Sequence, residues 1–122
     1  MNPEAKAVLV VDDESAVRSL VSTMLSMQGF CVFEAQNGLE ALQVYASYHT
    51  LIALVITDVQ MPVMTGPEAL DRMQTISPDL RAIVMTGASP DTVTGLNGHP
   101  VLRKPFTPVQ FRAQVRLALG QD

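Results

Sequence analysis

Four short clusters in this chain of 122 residues carry residue types that do chemistry together: Asp12-Asp13-Glu14, Thr57-Asp58, Thr86-Gly87 and Arg103-Lys104-Pro105. Carboxylates dominate the set. Two carboxylates about 4 Å apart repel by roughly 4 kcal/mol at an effective dielectric of ~20. Asp12, Asp13 and Asp58, brought together, therefore demand a cation or a proton. Hard oxygen donors with room for water suit Mg2+, and no thiolate or imidazole set suggests zinc. A Mg2+ ion held by few carboxylates usually completes its shell with phosphate oxygen. Thr86 could donate a hydrogen bond to that phosphate, and Lys104 could neutralise it as a point charge. Gly87, without a side chain, would let a backbone N–H come close. The chemistry is then phosphoryl transfer, in which catalysis is mostly positioning and charge neutralisation. Asp58 is the best nucleophile, a carboxylate that accepts phosphate as an acyl phosphate.

The elements that must position these clusters are legible from hydrophobic period. Ala7-Val8-Leu9-Val10-Val11 is a continuous, β-branched run stopped by two aspartates, the pattern of a strand buried on both faces. Residues 51–56 and 82–85 read the same way, 101–102 is a shorter version, and Cys31-Val32-Phe33 is a weaker strand candidate. Between the runs the period becomes helical. Val17, Leu20, Val21, Met24 and Leu25 form one stripe, closed by Gly29 as a C-cap. A second helix starts through Asn37, with Glu40 three residues on and Leu39, Leu42, Val44, Tyr45 and Ala46 as its apolar residues. Thr65-Gly66-Pro67-Glu68 and Thr107-Pro108-Val109-Gln110 are capping boxes with proline in the first turn. Leu70, Met73 and Ile76 follow the first box, and Phe111, Val115, Ala118 and Leu119 the second. Pro90, Gly95, Gly98 and Pro100 limit any helix over residues 88–100 to a turn or two. Such βα alternation predicts an α/β, flavodoxin-like, doubly wound sheet of five parallel strands in the order 2-1-3-4-5, with a short or irregular fourth helix. Ligands of such sheets bind beyond the carboxyl ends of the strands, where all four clusters fall.

Composition narrows the class. With 48% apolar and 16% charged residues, the chain reads as one domain over 1–122 with a core of about 6–120. A net charge of −4 argues against direct nucleic-acid binding. No apolar run approaches the ~20 residues of a membrane span, so membrane insertion is not expected. No secretory signal is evident and a single cysteine, Cys31, excludes a disulfide framework, which predicts a cytoplasmic location. Cys31 reads as a buried filler, Glu14 and Ser15 as caps of the first helix, and His49 and His99 as surface residues without a partner pattern. Met61 and Met64, in the loop after Asp58, are expected to shape access to the site. Gln60 and Ala88 are expected to flank the phosphate.

Val10-Val11-Asp12-Asp13-Glu14, residues 57–66 (Thr-Asp-Val-Gln-Met-Pro-Val-Met-Thr-Gly), Met85-Thr86-Gly87-Ala88 and Lys104-Pro105-Phe106 resemble, in order, the signature motifs of bacterial two-component receiver (response-regulator) domains. The resemblance covers roughly residues 6 to 120. It implies that Asp58 is the phosphoacceptor, that Asp13 ligates Mg2+ directly and Asp12 mainly through water, and that the backbone carbonyl of Gln60 completes the metal site. It further implies that Thr86 is the switch hydroxyl, that Lys104 is the ion-pair partner of the phosphoryl group, and that a cis peptide bond precedes Pro105. The implied partners are a histidine kinase or histidine phosphotransfer protein and a downstream protein target, with homodimerisation left open. Two features depart from the family pattern. Val101 stands where the family commonly carries a rotating Tyr or Phe, and the segment between Thr86 and Lys104 is a few residues shorter. The compact ending resembles receivers at the C-terminus of hybrid sensor kinases.

Two other functions fit less well. A Mg2+-dependent aspartyl-phosphate phosphatase would place a second acid two residues after its nucleophile, where this chain has Gln60. A phosphorylation-independent interaction module would be expected to have lost an acid, the threonine or the lysine, and all are present. The expected function is a phospho-acceptor signalling domain of a phosphorelay, not an enzyme beyond its own phosphorylation and dephosphorylation.

Overall fold

In the computed structural model, which describes residues 6–87 and 98–120, each apolar run becomes a strand. These are β1 (Ala7–Val11), β2 (Cys31–Ala35), β3 (Ile52–Asp58), β4 (Ala82–Thr86) and β5 (Val101–Arg103). The sheet order is β2-β1-β3-β4-β5 and every pair is parallel. This is the flavodoxin-like topology expected from the βα alternation. Most of the segment expected to hold a short fourth helix, and with it Ala88, lies outside the described residues.

The helices among the described residues are α1 (Ser15–Met27), α2 (Gly38–Tyr48), α3 (Gly66–Ile76) and α4 (Pro108–Ala118). Their starts follow local chemistry. Asn37 accepts from the Glu40 backbone at the start of α2, and complete capping boxes at Thr65/Glu68 and Thr107/Gln110 open α3 and α4. Such a cap stabilises a helix by about 1 kcal/mol, because it satisfies N–H groups the helix leaves unpaired. Gly29, with φ +94°, turns the chain after α1, as a C-cap glycine does.

Alternation along β1 sorts the core into two layers. Ala7, Leu9 and Val11 pack with Ala41 and Tyr45 of α2 and Leu70 and Met73 of α3. Val8 and Val10 pack on the other face with Val21 and Leu25 of α1 and Phe111 and Val115 of α4. A strand buried on both faces needs apolar residues at every position, which is why β1 reads as an unbroken run. The stripes were only partly as expected. On α1, Leu20 is 58% exposed while Ser22 is buried. On α2, Leu39 and Ala46 face out and Gly38 and Ala41 face in. Ile76 at the end of α3 is exposed. Cys31 is half-buried against the α2/α3 layer rather than enclosed.

Candidate functional site

All five strands point their carboxyl ends to one edge, and the chemistry-bearing residues collect there. Asp12 follows β1, Asp58 and Thr86 end β3 and β4, and Lys104 follows β5. The close approach is fixed by backbone pairing: the Lys104 N–H donates to the Thr86 carbonyl at 2.7 Å, and the Val59 N–H to the Met85 carbonyl at 3.0 Å. The Lys104–Pro105 peptide is cis.

The Lys104 ammonium sits between two acids. Nζ lies 3.2 Å from Asp12 Oδ2 and 3.3 Å from Asp58 Oδ2. Asp12 is wholly buried and both of its oxygens are engaged, Oδ1 accepting the Glu14 N–H at 2.9 Å. Asp58 Oδ1 accepts the Val59 N–H at 2.8 Å. Burial raises the Asp58 pKa above the usual carboxylate value; Lys104 opposes the rise and Asp12 adds to it. For Lys104 burial works against the charge, but Asp58 and Asp12 outweigh it and hold the pKa up. The two directions agree: one cation is shared by two carboxylates that repel each other.

In front of this pair lies a cleft of about 350 Å³ lined by Asp13, Glu14, Asp58, Val59, Gln60, Thr86, Gly87 and Lys104. Asp13 is exposed on its wall, Thr86 is buried at its floor, and Gly87 has open space at the position of a Cβ. Carboxylate oxygens of Asp12, Glu14 and Asp58 lie within 4.8 Å of one another. Hard oxygens so close, with open cleft beside them, suit a metal ion, and a small divalent cation would relieve their repulsion.

Three residues take places other than those the sequence predicts: Glu14, Met61 and Met64. Glu14 holds the N-cap position of α1 but makes no side-chain cap bond; its carboxylate joins the acid group instead. The signal was available, since Asp12 and Glu14 are alternate residues of one acidic run. Arg18 was not singled out. Its Nη1 donates to the Asp12 carbonyl at 2.8 Å and its Nε pairs with Glu34 Oε1 at 3.2 Å, tying α1 to the ends of β1 and β2. Met61 and Met64 do not guard the cleft mouth. Both are buried in the α2/α3 layer, because the loop after β3 folds back onto α2. Val101 pairs in register with Val84 and is half-buried. His99 is half-buried, and burial lowers its pKa against the opposing charge of Asp71.

Comparisons with known proteins agree on one family. The family model described as "Response regulator receiver domain" matches residues 8–116. A curated relative, the probable transcriptional regulator ycf27 of Cyanophora paradoxa, is 36% identical over 98% of this chain and 50% of its own length. The chain thus spans about half the length of that relative. Among solved structures, the receiver domain of the hybrid histidine kinase CckA is 31% identical with a TM-score of 0.80, covering 93% of this chain and 98% of that one. The response regulator TrrA of Thermotoga maritima, solved in complex with Mg2+–BeF, is 29% identical with a TM-score of 0.84, covering 93% and 99%.

Proposed function

The chain belongs to the response regulator receiver family, and from that premise we propose that Asp58 accepts a phosphoryl group from a phosphohistidine-bearing protein and that the charge change reshapes the surface offered to a partner. The observation that carries this assignment is the Lys104 ammonium shared between Asp12 and Asp58 at the edge of an open, acid-lined cleft. Such an arrangement is a poor core and a good phosphate site. In the proposed step an Asp58 carboxylate oxygen attacks phosphorus, the O–P bond forms as the donor's N–P bond breaks, and the imidazole leaves. Lys104, already at the nucleophile, pairs with the incoming phosphoryl oxygens. Thr86 and the Gly87 backbone line the same cleft and supply hydrogen bonds to those oxygens.

Asp12, Asp13 and Asp58, with the Gln60 carbonyl, are proposed to hold Mg2+, and Glu14 adds charge beside them. When bound, Mg2+ neutralises the phosphoryl oxygens. The family is one of signalling domains, not classical enzymes. Likeness to the receiver of a hybrid histidine kinase supports a histidine kinase or phosphotransfer protein as donor. No helix among the described residues is long and apolar enough to cross a membrane; a single domain over residues 1–122 working in the cytoplasm accords with the composition.

The test is intact-mass spectrometry after incubation with acetyl phosphate, with and without Mg2+, on wild type and Asp58→Asn. One phosphoryl adduct that needs Mg2+ and is lost in the variant supports the assignment. An adduct that survives the substitution, or none on the wild type, rejects it.

A further inference from the structure

Arg18 touches the acid-bearing turn after β1 without lining the cleft. Its Nη1 donates to the Asp12 carbonyl at 2.8 Å, and its Nε pairs with Glu34 Oε1 at 3.2 Å. The side chain is only 20% exposed. A guanidinium drawn this far out of water, with two of its N–H groups on fixed acceptors, is an ordered fork rather than a solvated surface cation.

What it holds is the peptide between Asp12 and Asp13. β1 ends one residue earlier, with Val11 in register with Ala35 of β2 and Thr57 of β3. The Asp12 N–H still donates to the Ala35 carbonyl at 3.1 Å. The Asp12 carbonyl, just past the strand, takes its donor from a helix side chain instead. A peptide is planar, so fixing that oxygen also fixes the direction in which the chain leaves toward Asp13. The other acids have holds of their own. Asp12 is bonded to the Glu14 N–H and to Lys104, and Asp58 to the Val59 N–H and to Lys104. Asp13 stands exposed on the cleft wall, so its aim depends on the backbone that carries it.

Charge and geometry make opposite predictions here. A guanidinium kept beside the acids for its charge would repel a second cation and weaken metal binding. A guanidinium kept for the peptide it holds would strengthen metal binding, as groups that orient metal ligands do.

We propose that Arg18 is a positioning residue for the metal site: anchored on Glu34 of β2, it holds the Asp12–Asp13 peptide so that the Asp13 carboxylate is aimed into the cleft. This rests on the reading of Asp13 and Asp58 as Mg2+ ligands of a phosphoacceptor site. The test is calorimetric titration of the metal-free, unphosphorylated protein with MgCl2, on wild type and on Arg18→Met, Arg18→Lys, Glu34→Gln and Val21→Ala. Urea midpoints and labelling by acetyl phosphate are measured alongside. Arg18→Met keeps the apolar stem but loses the charge and both donors, and its Kd for Mg2+ should rise about tenfold. Its labelling at saturating Mg2+ should stay within about twofold, because the lost group acts through a ligand and not on phosphate. Arg18→Lys keeps the charge without the fork and should weaken Mg2+ binding about threefold. Glu34→Gln leaves the bond to Asp12 in place, and its Kd should stay within about twofold of wild type. Val21→Ala truncates the core under the same helix and should lower the urea midpoint without moving the Kd.

The proposal is overturned if Arg18→Met binds Mg2+ as tightly as wild type, or more tightly, since the guanidinium then serves the fold or acts by charge alone. It is also overturned if Val21→Ala weakens Mg2+ binding as much as Arg18→Met does. Should Arg18→Met fail to fold, an Arg18→Lys variant that binds Mg2+ like wild type overturns it. Failure of the wild type to bind Mg2+ would instead remove the premise, and the proposal with it.

Discussion

The two ends of the sheet are charged in opposite ways. At the carboxyl end, carboxylate oxygens of Asp12, Glu14 and Asp58 crowd within 4.8 Å of one another, and the Lys104 ammonium pairs with Asp12 and Asp58. At the amino end, a cleft of about 320 Å³ is rimmed by Lys6, His49 and Arg81, with Asp79 as its one carboxylate. In a parallel α/β fold all helices start at the first end and finish at the second. Dipoles therefore favour acids at one and cations at the other, by about 0.3–1 kcal/mol each. That is enough to account for the amino end. It falls short at the carboxyl end, where each close pair of carboxylates repels by roughly 3–4 kcal/mol at an effective dielectric of ~20. One end carries charge that the helix dipoles favour; the other carries more carboxylate charge than the helix dipoles offset.

Glycines give the largest test of this contrast. Gly66 opens α3 so close to β3 that a Cβ would overlap the Asp58 carbonyl. Gly29, at the opposite end, has nothing within 4 Å and is required only by its φ of +94°. Gly66→Ala should cost about 3 kcal/mol or more, because the loop must move off the end of β3. Gly29→Ala should cost about 1 kcal/mol. Urea midpoints measure both, and the site variant should also lose Mg2+-dependent labelling while the other keeps it. Equal costs would mean that close packing at the carboxyl end is not special.

Much of this was legible in the sequence, for identifiable reasons. Strands buried on both faces cannot hide among polar residues, and capping boxes declare helix starts, so β1, β3, β4, α3 and α4 stood out. The residues that meet in the site, Asp12, Asp58, Thr86 and Lys104, stood out because each directly follows or ends an apolar run. Facing was less legible. At ~100° per residue, Leu20 and Ser22 flank Val21 on opposite sides. Either could face the sheet, and tertiary position buries Ser22. A loop's return onto the core leaves no period, so Met61 and Met64 read as cleft residues when they are core. Backbone conformation leaves no trace either: Val63, at φ +74°, looks like any other loop valine in the sequence.

Removing one acid separates the two ends more gently. Burial raises the Asp58 pKa above its ordinary 3.8, so between that value and the raised one the native state holds a proton that the unfolded chain has released. The stability this provides is complete below pH 3.8 and is lost as pH rises through the raised value. Near neutral pH the ionised Asp58 is therefore a net cost, and Asp58→Asn should raise the metal-free Tm by about 4 °C, a gain of ~1 kcal/mol. Lys104, whose pKa is held up, stays charged throughout and keeps Asp12 as partner. The advantage should shrink as the pH is lowered toward 3.8. It should reverse in Mg2+, which stabilises only the protein that binds it. A metal-free variant that melts clearly below wild type at pH ~7 would show that Lys104 alone satisfies both acids.

The smallest effect belongs to the amino end and tests whether its charge is merely structural. Arg81 borders the cleft with Ser77, just past α3, and Leu119, just past α4. A cation there faces the negative ends of two helices. Arg81→Glu reverses that charge and should lower the Tm by about 2–4 °C at low salt, the shift expected for about 0.5–1 kcal/mol. Most of the loss should disappear at about 0.5 M NaCl, because exposed charges are screened over a few ångströms at such ionic strength. Labelling of Asp58 and its Mg2+ dependence should not change, since the two ends share neither side chains nor a cleft. A salt-insensitive loss would mean that Arg81 packs rather than pairs. A loss of labelling would mean that the two ends are coupled through the sheet, and the division between structural and ligand-directed charge would fail.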